Sequence, residues 1–96
     1  MACLGVEHLD VPDNVGSTVL LEFPQGCMNV WLQAEGGDVN FDPSGTDVEK
    51  DKGPRLQNGG QPIEIPGADA KVCKFRTADS GGTVSVLATY WGRAIS

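Results

Sequence analysis

Apolar and polar side chains alternate with a period of two along most of this chain, and no stretch of ten or more residues carries apolar positions at helical spacing. Val19, Leu21 and Phe23 alternate with Thr18, Leu20 and Glu22. Met28, Val30, Leu32 and Ala34 alternate with Asn29, Trp31 and Gln33. Val39 and Phe41 alternate with Asp38, Asn40 and Asp42. Ile63 and Ile65 flank Glu64 between Pro62 and Pro66, and Cys73 and Phe75 alternate with Lys74 and Arg76. Val84, Val86, Ala88 and Tyr90 alternate with Ser85, Leu87, Thr89 and Trp91. Each stretch predicts a strand with one face to a core and the other to solvent or a neighbour. The pattern is less regular at Leu4–Leu9, where an N-terminal strand is also expected.

Turn chemistry separates these stretches. Pro24-Gln25-Gly26 pairs a proline that presets a turn with a glycine that permits positive φ. Glu35-Gly36-Gly37-Asp38 predicts a tight hairpin, because adjacent glycines accept the conformations of primed turns, and Ser80-Gly81-Gly82 predicts another before the last strand. Residues 42–60 hold Pro43, Gly45, Gly53, Pro54, Gly59 and Gly60 and mixed charges from Asp47 to Lys52. They read as a long exposed loop with a short strand near Arg55–Gln57. The whole predicts an all-β chain: a single small antiparallel β-sandwich or barrel of about seven short strands over residues 1–96.

Composition narrows the function classes. The 96 residues hold 40% hydrophobic and 21% charged side chains, a globular balance with one core. The net charge is −6, which disfavours nucleic acid. Residues 1–66 carry 3 basic and 11 acidic side chains, net −8, and residues 67–96 carry 4 basic and 2 acidic, net +2. That asymmetry suits docking on a charged partner or head-to-tail packing of copies. The cysteines, Cys3, Cys27 and Cys73, are odd in number and match no zinc or redox spacing, so folding in a reducing compartment is expected. The N-terminus has no signal-peptide pattern, and no apolar run approaches a membrane span.

Candidate chemistry is sparse. Asp38, Asn40 and Asp42, with Glu49 eleven positions after Asp38, have the ligand spacing of a calcium-binding helix–loop–helix loop. Pro43 stands where that loop needs glycine, and the flanks read as strands, so a polar strand face is the simpler reading. His8 has Glu7 and Asp10 nearby but no nucleophile motif. Cys73 lies between Lys71 and Lys74 and otherwise reads as a buried strand thiol. Asp47/Glu49 and Asp10/Asp13 are better explained by solvation than as glycosidase pairs. No catalytic residue and no cofactor are expected. Trp31 and Trp91, with Leu20 and Leu87, are large apolar side chains on the polar phase of their strands, which points to an interface or a second buried layer.

The segment Leu32-Gln33-Ala34-Glu35-Gly36-Gly37-Asp38-Val39-Asn40-Phe41 resembles a pattern in small virion proteins of tailed bacteriophages: an apolar strand ending in Gln-Ala-Glu-Gly, then a short aromatic strand. Ser44-Gly45-Thr46 stands where that pattern has a Gly-Thr loop, Gly60-Gln61-Pro62-Ile63 at a strand entry, Lys74-Phe75 in a later strand, and Tyr90-Trp91 at its closing aromatic pair. The similarity spans most of residues 18–91 and fails at Asp47–Arg55, which is more charged. It implies a β-sandwich that decorates or cements a capsid by binding the major capsid protein. The expected location is the capsid surface of the virion, after synthesis in the host cytoplasm, with homo-oligomers and no nucleic-acid or membrane partner. Trp31, Leu87, Trp91, Arg76 and Tyr90 are the expected interface, with the basic C-terminal third facing acidic capsid loops. The alternatives are a carbohydrate- or receptor-binding module on the virion and a head–tail or tail component.

Overall fold

The alternating stretches form strands that sort into two antiparallel sheets of four. The computed structural model describes residues 2–12, 15–49, 52–78 and 84–93. In chain order the elements are β1 (Ala2–Val11), β2 (Thr18–Val19), β3 (Cys27–Glu35), β4 (Val39–Asp42), β5 (Arg55–Leu56), β6 (Ile63–Pro66), the helix α1 (Gly67–Val72), β7 (Lys74–Thr77) and β8 (Val84–Gly92). The first sheet has the order β1-β8-β3-β6 and the second β2-β7-β4-β5. The chain changes sheet at every connection except that from β4 to β5. Residues 35–38 are therefore not a hairpin: they carry the chain from one sheet to the other. Gly36 takes φ 87° there. Its N–H donates to Asn58 Oδ1 (3.0 Å), and the Asn58 N–H donates to Asp38 Oδ1 (2.8 Å). The turn expected at Ser80–Gly82 lies outside the described residues, and the strands flanking it belong to different sheets.

The inner faces meet in one core. Leu9, Val11, Val30, Leu32, Ala34, Val86, Ala88 and Tyr90 come from the first sheet, and Val39, Phe41, Leu56 and Phe75 from the second. Burying each of the larger aliphatic and aromatic side chains contributes about 1.5–3 kcal/mol. Ala70 of α1 and Cys73 just after it join this core. Pro66 stops β6 and precedes the first helical turn, Asp69 lies in the first turn and Lys71 in the last, the arrangement that complements the helix dipole. Six residues give too few turns for a helical period to be read from sequence.

Two irregularities flank the end of β8. The pairing of β1 with β8 shifts between Cys3 and Gly5, and that of β3 with β8 shifts between Cys27 and Asn29. The second shift explains why Met28 is exposed although it continues the inward phase of Val30, Leu32 and Ala34.

Glu7 points inward from β1 and is buried. Its carboxylate accepts the backbone N–H groups of Leu21 and Glu22, each at 3.0 Å, and the hydroxyl of buried Tyr90. Phe23 stands edge-on to the Tyr90 ring, 5.7 Å between centroids. This cluster overrides the expected strand through Phe23. After Val19 the chain leaves β7 and offers its N–H groups to Glu7, so Leu20 is buried and Leu21 is 78% exposed, the reverse of the expected phase.

The loop after β4 is largely exposed along its described residues, but it is anchored to the second sheet at Val48. Asp47, Val48, Gly53 and Pro54 meet the outward side chains of the second sheet, and the strand that follows, β5, buries Leu56. Val48 is buried; its N–H donates to the Gly16 carbonyl (2.8 Å) and its carbonyl accepts from Arg76 Nη1 (3.2 Å). Lys74 pairs with Asp47 at 2.7 Å, and Asn40 Nδ2 donates to the carbonyls of Gly53 and Pro54. A Cβ on Gly16 would sit 2.2 Å from the Val48 carbonyl oxygen, so only glycine permits this approach.

Two outcomes follow from the Glu7 cluster. Tyr90→Phe removes one donor from a buried carboxylate, and Glu7→Gln offers one acceptor oxygen where two oxygens serve three donors. Each is expected to lower unfolding free energy by about 1–3 kcal/mol in urea titrations. Separately, burial and then the Glu7 carboxylate push the Tyr90 phenol above its ordinary value of 10.0. The folded state thus retains a proton that the unfolded chain releases, and stability present below about pH 10 declines as pH rises above it. Tyr90→Phe should remove that part of the alkaline slope, read as Tm against pH.

Candidate interaction surface

Strand register builds the outer face of the first sheet as a lattice of rows. Cys3, Trp91, Asn29 and Pro66 form one row, and Val6, Thr89, Trp31 and Glu64 the next. His8, Leu87 and Gln33 form the third, and Asp10, Ser85 and Glu35 the last. Trp31 and Trp91 are diagonal neighbours on β3 and β8, with ring centroids 4.9 Å apart and planes tilted by 48°. The Trp31 indole N–H donates to Glu64 Oε1 at 3.2 Å, which fixes the ring across β6. Trp31 remains 40% and Val6 51% exposed, while Leu87 and Trp91 are half-buried. The Trp91 N–H is buried without an acceptor among the described residues. Trp31, Pro62 and Glu64 border a shallow cavity of ≈ 280 Å³. At the opposite end Ser85 Oγ donates to Asp10 (3.3 Å).

Of the expected interface residues, the fold brings Trp31, Trp91 and Leu87 together on this face and separates the other two. Tyr90 is turned into the core, 1% exposed, because neighbours along a strand face opposite ways and Trp91 points out. Arg76 is on β7, in the second sheet, where its side chain holds the Val48 carbonyl under the loop. The charge asymmetry follows sheets rather than chain position. The strands of the first sheet contain no Lys or Arg, whereas Arg55, Lys74 and Arg76 belong to the second. The basic C-terminal third is thus divided, and β8 is uncharged.

Asp38, Asn40 and Asp42 do not converge. Asp38 accepts from the Asn58 N–H and lies 3.3 Å from Arg55, and Asn40 is buried under the loop. Asp42 accepts from the N–H and hydroxyl of Ser44, which hold its carboxyl below the usual carboxylate range. Among the described residues no group of three or more His, Cys, Asp or Glu side chains is placed to hold a metal ion. His8 is exposed on the lattice beside Leu87, Asp47 and Glu49 pair with lysines, and Asp13 lies outside the described residues. Glu7 escaped the sequence reading. Its signal was its phase with Leu9 and Val11, which the register shift near Cys3 obscured.

No family model, curated protein or solved structure matches this chain.

The cysteines give a direct check on which side of the first sheet is open. Cys3 is exposed on the lattice, whereas burial, with the Asp42 charge adding to it, pushes the Cys73 thiol up to about 12. At about pH 8 a maleimide should modify Cys3 in the folded protein and leave Cys73 unmodified until denaturant is added, as read by peptide mass mapping.

Proposed function

We propose that this chain is a non-enzymatic structural protein that docks on a larger assembly through the outer face of its first sheet, and that the assembly is a bacteriophage capsid which it decorates or cements. The observation behind the docking role is the contrast between the two outer faces. The second sheet is covered by the chain's own loop, with Val48 buried and Lys74 and Arg76 engaged. The first is uncovered by described residues and clusters Trp31, Trp91, Leu87 and Val6. Aromatic and aliphatic anchors grouped at the centre of a polar border are the anatomy of protein interfaces. The capsid as partner is suggested by the sequence resemblance in most of residues 18–91, outside Asp47–Arg55. Homo-oligomeric assembly belongs to the same proposal: β1 and β6 are sheet edges, and pairing β1 with a second copy would continue the face across both.

A second reading, a carbohydrate-binding module, is favoured by the exposed Trp31 ring beside the cavity it shares with Pro62 and Glu64. A pyranose stacked on Trp31 would need no other part of the lattice.

Co-sedimentation with the assembled shell of the encoding virus separates the readings. Leu87→Asp and Trp31→Ala, each checked for a native-like Tm, are expected to weaken shell binding by about tenfold or more. Undiminished occupancy by both variants rejects the docking face. A glycan-array response lost in Trp31→Ala but kept in Leu87→Asp favours the carbohydrate reading.

A further inference from the structure

The lattice has a charge pattern that narrows the partner, an inference that rests on the docking role proposed above. Of the outward carboxylates of the first sheet, Asp10 and Glu35 stand in one end row and Glu64 on the edge strand β6, while Trp31, Leu87 and Trp91 lie on the two central strands, β3 and β8, with Val6 beside them on β1. No lysine or arginine lies in any of its four strands. Arg93 follows β8 at the end away from Asp10 and Glu35. Two such faces pressed together would gather the carboxylates of both copies around an apolar centre with no strand-borne cation between them. Like charges juxtaposed in a partly desolvated interface oppose association.

The cavity beside Trp31 adds geometry to this charge argument. It is bordered by the indole, the Pro62 ring and the Glu64 carboxylate. The indole N–H engages Glu64 Oε1, and Oε2 has no hydrogen-bond partner described. A guanidinium is flat and weakly hydrated, stacks on indole faces and pairs with carboxylates. We propose that this cavity receives an arginine side chain from a partner protein, stacked on Trp31 and paired with Glu64, and that the face as a whole fits an apolar protein surface edged with basic residues rather than a second copy of itself.

The test uses the full chain labelled with ¹⁵N and two synthetic peptides, one with arginine beside leucine and one with citrulline, its neutral isostere, in the arginine position. The arginine peptide is expected to shift the Trp31 indole resonance and to bind about tenfold more tightly than the citrulline peptide. Glu64→Gln retains an acceptor for the Trp31 N–H and removes the charge, so it should abolish that preference without changing Tm. Equal binding of the two peptides, resonance shifts away from Trp31, a preference that survives Glu64→Gln, or no binding of either at millimolar concentration each overturns the inference. A neutral glycan that displaces the arginine peptide and binds Glu64→Gln equally well overturns it in favour of a sugar site. The two readings fail separately: undiminished shell binding by Leu87→Asp and Trp31→Ala rejects the docking face, whereas shell binding lost in Leu87→Asp but unchanged in Glu64→Gln keeps the docking face and rejects the arginine pocket.

Discussion

A carboxylate in the interior of a small β-sandwich is the constraint from which much of this architecture follows. Glu7 is held there by two backbone N–H groups and one phenol, and burial of a charge without such donors would cost several kcal/mol. Its inward position sets the phase of β1 and so turns Val6, His8 and Asp10 outward. Its demand for donors draws residues 21 and 22 off the second sheet, which leaves β2 with two residues. Tyr90, by serving Glu7 from the inside, obliges Trp91 to face out. The composition of the exposed lattice is therefore tied to a hydrogen-bond cluster on the other side of the same strands.

The two sheets resolve the problem of their second faces differently. The second sheet has outward Asn40, Asp42, Lys74 and Arg76, side chains that bind backbone and charge in a loop laid over them. The first has outward tryptophans and no cation, and no such loop lies over it among the described residues. Polar side chains direct the chain's own backbone onto one face, and apolar ones leave the other available. The loop's charges, which in sequence resemble solvated surface, include Asp47, the counterion of Lys74.

Much of this was legible in the sequence where a local rule decides the outcome. The period-two pattern located β3, β4, β6, β7 and β8, and of the off-phase positions Trp31, Leu87 and Trp91 lie on one outer face while Leu20 is buried in the core. What was not legible depends on distant partners. Nothing within residues 35–38 tells a hairpin from a crossover, since the same glycines serve both, and the choice is made by Asn58 and the strand that follows it. Leu21 and Leu20 exchanged phase because Glu7, far away in the chain, took the local N–H groups. Arg76 reads as an exposed cation until the loop that covers it is placed, and α1 is shorter than the window in which helical periodicity can be measured.

Both strands beside β8 accommodate an extra residue at nearly the same level, close to Trp91 and Gly92. Bulges increase the right-handed coiling of the strands that contain them. The row with Trp91 is thereby rotated relative to the row with Asp10 and Glu35, and the aromatic corner meets an approaching molecule at a different inclination from the acidic end. Such a surface is a saddle rather than a plane. A flat or rigidly cylindrical partner can meet one end or the other, and a surface with matching torsion can meet both at once.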